Sequence, residues 1–81
     1  MDIQHYRQFL QEYVNQAIQN SDGTISGIAG YLEGIQVKGL LLSHKEERRR
    51  ALADVRQAFD EHRHWPLEII LSQLGVEAPP K

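Results

Sequence analysis

The stretch that decides the fold is residues 24–42, TISGIAGYLEGIQVKGLLL, because it fits both a β-hairpin and a helix. Its second arm alternates between apolar and polar side chains from Ile35 to Gly39, a period of two that is typical of a strand. Its first arm also fits a short helix, because apolar residues recur at spacings of three and four between Ile25 and Leu32. The fold class therefore depends on how this first arm is interpreted.

Glycine favours the hairpin. Gly27 and Gly30 lie inside the first arm, and each would cost a helix about 1 kcal/mol relative to alanine. We therefore predict two strands that turn near residues 32–34. The predicted fold class is α+β: an N-terminal helix, a β-hairpin, a long helix and a short C-terminal helix. An all-α fold is the alternative.

The N-terminal helix is predicted over residues 3–19, which carry an apolar stripe at helical spacing. Asp2 precedes the stripe and is a residue type that caps helix N-termini. The long helix is predicted over residues 44–64. Ser43 and Glu46 at its start have the S-x-x-E spacing of a capping box.

The last helix is predicted over about residues 66–74. Pro66 suits its first turn, because proline has no N–H group to satisfy there. Gly75 is the natural stop, because glycine adopts the left-handed conformation that ends many helices. Without repeats or linkers, we predict one small domain over residues 1–75 and an extended tail over residues 76–81.

Composition excludes several classes of protein. The chain has 81 residues, 41% of them hydrophobic and 25% charged, which is ordinary globular usage. It has no cysteine, so it forms no disulfide and offers no thiolate. No apolar run approaches the ~20 residues that span a bilayer, and the N-terminus has no secretory signal pattern. We expect a soluble cytoplasmic protein with no membrane contact.

Catalytic and cofactor motifs are missing from the sequence. No serine lies in a nucleophile-elbow pattern, and the glycines form neither of the common phosphate-binding loops. His62 and His64 are two residues apart, so on a helix their side chains would point about 200° apart. They would meet at one metal ion only if the helix ended between them, which the nearby Pro66 allows but does not require. We therefore predict no enzyme activity, no cofactor and no metal site.

Two runs of three consecutive apolar residues, at residues 40–42 and 69–71, favour a protein interface. At least one side chain in each triple is expected to point away from the core of so small a domain, and exposed apolar patches mark contact surfaces. Tyr31 and Trp65 add aromatic rings that suit interfaces. The predicted interface residues are Tyr31, Leu40, Leu41, Leu42, Trp65, Ile69, Ile70 and Leu71. We predict a non-catalytic interaction or regulatory protein that acts through protein contacts, as an isologous homodimer.

Nucleic-acid binding is the alternative function. Arg49, Arg56 and Arg63 are spaced by seven and share one flank of the long helix, with Lys45 close to the same line. Such a cationic flank could contact phosphates and release counterions. Acidic residues interrupt it, and the net charge of the chain is −2, so protein contacts remain the preferred interpretation.

A segment of the chain resembles the HicB-like antitoxins. The resemblance rests on LEGIQVKG at residues 32–39, on Glu46-Glu47, and on DVRQAF at residues 54–59, under half of the chain. It implies a strand that ends in glycine, followed by a helix, and a role as a toxin-neutralising regulator. The N-terminal segment departs from that pattern, because it is predicted as a helix where the family has a strand.

Overall fold

A computed structural model describes residues 2–35 and 43–79. These residues form four helices and no strand. The helices are α1 (Ile3–Gln19), α2 (Ile25–Gly34), α3 (Lys45–Glu61) and α4 (Leu67–Leu74). The fold is therefore all-α, and the predicted α+β class is wrong.

The first arm of the predicted hairpin is helix α2. Thr24 begins it, because the Thr24 hydroxyl accepts a hydrogen bond from the Gly27 N–H at 3.0 Å. Burial of Ile28, Ala29 and Leu32 in the core offsets the cost of the helical glycines. The second arm, from residue 36 onward, lies outside the described residues.

Gly27 has a specific role at the start of α2. The Asp22 carboxylate accepts hydrogen bonds from the Thr24 N–H and hydroxyl, and a Cβ atom at Gly27 would lie only 2.1 Å from Asp22 Oδ1. The Thr24 hydroxyl is the main reason that the pKa of Asp22 is lowered. A side chain at position 27 would displace the Asp22 carboxylate, so the glycine that counts against a helix in the sequence leaves room for the cap of that helix.

The core is assembled mainly on α3. This helix packs against each of the other three, and α1 packs against both α3 and α2. Among residues 2–35 and 43–79, fifteen apolar side chains are buried, and Phe59, Ile28 and Leu32 are among the largest that are fully enclosed. Each helix thus contributes one apolar face to a shared interior.

The predicted start of α1 and the predicted end of α4 are confirmed, whereas α4 begins at Leu67 and Pro66 is its N-cap residue. The Asp2 side chain accepts hydrogen bonds from the N–H groups of Gln4 and His5, so Asp2 caps α1. Gly75 ends α4 with φ of 73°, in the left-handed region that glycine adopts without strain. Beyond it, Val76 is buried against the core.

The predicted cap of α3 is wrong. His44, not Ser43, is the N-cap residue; it has φ of 54° and makes no side-chain capping bond. The Ser43 carbonyl instead accepts a hydrogen bond from the Arg48 guanidinium at 3.1 Å. This left-handed conformation costs a residue other than glycine on the order of 1 kcal/mol, so contacts with neighbouring residues must stabilise it.

In residues 2–35 and 43–79, none of the helices is long and apolar enough to cross a membrane.

Candidate interaction surface

The corner between α3 and α4 carries two exposed apolar side chains that are four residues apart in sequence. The Trp65 ring stacks on the His62 ring, with centroids 3.7 Å apart and planes 11° apart. Trp65 remains 38% exposed, and Ile69, four residues further on, is 48% exposed. We call His62, Trp65 and Ile69 the corner patch. It contains two of the three exposed large hydrophobic side chains in the described residues; the third is Ile3.

Three of the other predicted interface residues lie in the described part of the chain, and two of them are buried. Ile70 and Leu71 are buried inside the chain, so the apolar triple of α4 splits into one exposed and two enclosed side chains. Tyr31 is half-buried on α2 and packs against the core. Leu40, Leu41 and Leu42 lie outside the described residues.

A groove of about 610 Å³ adjoins the corner patch and shares His62 with it. Its walls come from the first half of α1, the second half of α3 and the C-terminal end of α4. Leu10, Ala58 and Leu74 supply apolar side chains to the lining, whereas Arg7, Asp54 and Glu61 supply charges. This volume lies within the range of small-molecule and side-chain sites.

A polar network forms one side of the groove. The Tyr6 hydroxyl donates a hydrogen bond to Asp54, and Arg50 Nε lies 3.4 Å from the same carboxylate oxygen. Burial raises the pKa of Tyr6 to about 12, and its bond to the Asp54 carboxylate adds to this effect. The tyrosine therefore stays neutral at physiological pH and acts as a donor.

The predicted arginine flank is divided by the fold. Arg56 is half-buried, and its Nε donates to the Leu32 carbonyl at 2.7 Å, while its terminal nitrogen reaches the carbonyls of Glu33 and Ile35. This guanidinium therefore caps the C-terminal end of α2, where cations are favoured.

The remaining members of the flank are spread along α3. Arg49 is exposed, Lys45 is half-buried, and Arg63 lies beyond the helix with its guanidinium 3.0 Å from Asp60 Oδ1. Phosphate binding by this flank stays a prediction. The Arg56 guanidinium would not take part in it as long as that group caps α2.

Histidines and carboxylates meet at the opposite end of α3. The rings of His5 and His44 stack with centroids 3.6 Å apart and planes 16° apart. His5 Nδ1 lies 2.6 Å from Asp2 Oδ2, and His44 Nδ1 lies 3.8 Å from Glu47 Oε2. We call these four residues the histidine clasp. Within the described part of the chain, no three His, Asp or Glu side chains are arranged to hold a metal ion.

The clasp joins the N-terminal ends of α1 and α3. Glu47 Oε1 accepts a hydrogen bond from the Asp2 N–H at 3.2 Å, which is the main reason that the pKa of Glu47 is lowered. The pKa of Asp2 is lowered chiefly by its bond to His5. Next to the clasp, the Arg48 guanidinium lies 4.1 Å from the centre of the Phe9 ring.

Little in the amino-acid pattern predicts the groove. Tyr6 falls on the apolar stripe of α1, where it looks like an ordinary core residue, and Asp54 looks like one of many solvated charges on α3. Nothing in their spacing, 48 residues apart, brings them together. The residue types from Ser72 to Gly75 likewise do not show that the C-terminal end of α4 lines a groove together with α1.

Comparison of the chain with protein families, with curated proteins and with solved structures finds no match. The fold also differs from what the resemblance to HicB-like antitoxins implied. Residues 32–34 end a helix instead of forming part of a strand, and residues 36–39 lie outside the described residues.

Proposed function

We propose that this chain is a small non-catalytic protein that acts by binding proteins, and that it forms a homodimer through the corner patch. The observation that carries the proposal is the exposed Trp65 ring, stacked on His62 and four residues from the exposed Ile69. Tryptophan is enriched among the residues that dominate binding energy, and clustered exposed apolar side chains mark contact surfaces.

The stack prepares Trp65 for binding. A side chain that is already fixed loses less conformational entropy when a partner covers it than one that rotates freely. The Pro66 ring follows directly and fixes one backbone angle at the start of α4. The patch therefore presents a rigid aromatic anchor.

The charges around the patch suit a second copy. Arg63 is exposed in the turn before Trp65, and Glu68 is exposed just before Ile69. In an isologous dimer each surface meets itself turned through 180°, so a rim that carries both signs can pair Arg63 of one protomer with Glu68 of the other. The small net charge of −2 adds little repulsion between protomers.

A cytoplasmic location fits this proposal. A chain without cysteine gains nothing from an oxidising compartment, and a protein contact of this kind needs neither a cofactor nor a metal.

Light scattering after size-exclusion chromatography tests the dimer. At about 100 μM, well above the Kd of a specific interface, we expect twice the monomer mass for the wild type. The double variant Trp65→Ser/Ile69→Ser should have the monomer mass, with unchanged helical circular dichroism.

Ile3→Ser is the matched control, because Ile3 is 62% exposed but lies outside the corner patch. We expect this variant to stay dimeric. A wild-type monomer at 100 μM, or a double variant that remains dimeric, would contradict the proposal.

A further inference from the structure

We propose that the groove beside the corner patch binds one arginine or lysine side chain of a partner protein. This inference rests on the proposed protein-binding function, but it does not require that the partner be a second copy. Three features of the groove carry it: its apolar lining, its carboxylates and the helix end that opens into it.

The apolar lining suits the stem of a long cationic side chain. Leu10, Ala58 and Leu74 come from three different helices and line the same groove. Arginine and lysine bury their methylene groups along such surfaces while the charged head stays near polar groups. The groove of about 610 Å³ has room for such a side chain.

Two carboxylates in the lining suit the charged head. Asp54 and Glu61 are seven residues apart on α3, which places them two turns apart on one side of the helix. Asp54 accepts from Tyr6 and lies near Arg50, and Glu61 accepts a hydrogen bond from Gln57 at 2.8 Å. Each carboxylate has two oxygens with several acceptor positions, so a further donor can be added.

The C-terminal end of α4 adds negative potential. Ser72, Gln73, Leu74 and Gly75 line the groove, and the last turn of α4 contains no basic residue. A helix C-terminus carries about half a negative charge, which a nearby cation stabilises. Within the described chain, α4 has no such cation in its own last turn, and a partner's side chain would supply one.

Arg7 and His62 also line the groove, and Arg7 opposes a second positive charge. Arg50 already pairs with Asp54, so Glu61 and the C-terminal end of α4 supply the remaining negative charge. The Arg7 guanidinium offsets part of this charge, and the weakly negative remainder favours a cation. The same guanidinium limits the groove to a single cationic head. The stated ligand is therefore one side chain rather than a polybasic segment.

An NMR titration of the ¹⁵N-labelled chain with N-acetylarginine amide tests this. We expect shifts of the amides of residues 57–62 and 72–75, with a Kd on the order of 1 mM, as suits a single side chain. N-acetylcitrulline amide has nearly the same shape without the charge. Equal binding of the citrulline compound, or no arginine-dependent shift up to about 20 times that Kd, would overturn the proposal.

Paired variants locate the site. Glu61→Gln should weaken binding of N-acetylarginine amide about fivefold, the upper range for an exposed ion pair. Glu46→Gln removes an exposed carboxylate of α3 outside the groove, so its Kd should match the wild type. Equal weakening in both variants would show only an effect of overall charge and would overturn the site.

A titration with spermidine tests whether the groove prefers a free polyamine to the side chain of a partner protein. Binding of spermidine at the same amides about tenfold more tightly than N-acetylarginine amide would overturn the assignment to a protein side chain. The mass measured in the same samples keeps the two proposals apart. Binding by a monomeric wild type contradicts only the dimer, whereas a dimer without binding contradicts only the groove.

Discussion

The two ends of α3 carry nearly the same ring contact in different surroundings. At the N-terminal end the His44 ring stacks on His5, with centroids 3.6 Å apart, and at the C-terminal end the His62 ring stacks on Trp65, with centroids 3.7 Å apart. The first pair joins residues 39 positions apart on two helices. The second joins residues three positions apart in one turn, so it leaves the larger ring exposed.

The difference lies in what surrounds each pair. Around His44, the Asp2 N–H and the Glu47 carboxylate tie α1 to α3. Around Trp65, no contact of this kind crosses to another helix among the described residues, and an exposed isoleucine follows. A stacked ring pair therefore stabilises the fold when its members come from distant segments, and displays a surface when they are neighbours in sequence.

The largest expected effect tests whether two adjacent isoleucines of α4 differ in role, with Ile70 packed in the core and Ile69 exposed at the surface. Ile70 is fully buried, so Ile70→Ala should lower the free energy of unfolding by about 2–5 kcal/mol, through lost burial and a residual cavity. Its neighbour Ile69 is 48% exposed, and at a dilution where the chain is monomeric Ile69→Ala should change stability by no more than about 0.5 kcal/mol. Urea unfolding of both variants measures this. Equal losses would show that Ile69 belongs to the core.

A smaller effect is expected midway along α3. Arg56→Gln leaves the α2 carbonyls of Leu32, Glu33 and Ile35 without their cationic donor, and should cost about 1–3 kcal/mol.

Arg49→Gln is the matched control, because Arg49 lies seven residues earlier on the same flank and is exposed. Its stability should stay within about 0.5 kcal/mol of the wild type. If thermal and urea unfolding show equal stability for both variants, Arg56 does not cap α2 in solution.

The sequence predicts the helices well where one signal dominates. The apolar stripe and Asp2 place α1, and Pro66 with Gly75 places α4 to within one residue. The prediction of a strand over residues 24–31 is wrong because it rests on the low helix propensity of two glycines and does not include the Thr24 cap. Burial of Ile28 and Leu32 then decides the matter, and burial is a tertiary effect that no local window contains.

The candidate surfaces divide in the same way. Trp65 and Ile69 were found from residue type alone, but the split between Ile69 and Ile70 follows from the rotation of α4 against α3. The role of Arg56 was missed for a related reason, since its partners are carbonyl groups 21–24 residues earlier and a charge pattern does not show them. The sequence does not show which distant groups a polar side chain contacts.

Acid should weaken the contacts at the N-terminal end of α3 more than those at its C-terminal end. This loss of stability is the smallest of the predicted effects. The pKa of Glu47 lies below its ordinary value of 4.5 in the folded chain, and the pKa of Asp2 lies below 3.8. A carboxylate with a lowered folded pKa stabilises the protein above its unfolded pKa. That contribution is lost as the pH falls from about 4.5 through the lower folded value. Asp22 adds a loss of the same sign.

Glu47→Gln removes one part of this acid response. Between pH 7 and pH 3 the fall in Tm should be smaller for Glu47→Gln than for the wild type, because Asp2 is then the one carboxylate left to protonate at the clasp. Glu61→Gln, at the other end of α3, should keep the wild-type fall, since the clasp is intact. If instead both variants show the same pH dependence as the wild type, the Glu47 carboxylate does not join α1 to α3, and the contrast between the two ends of α3 fails.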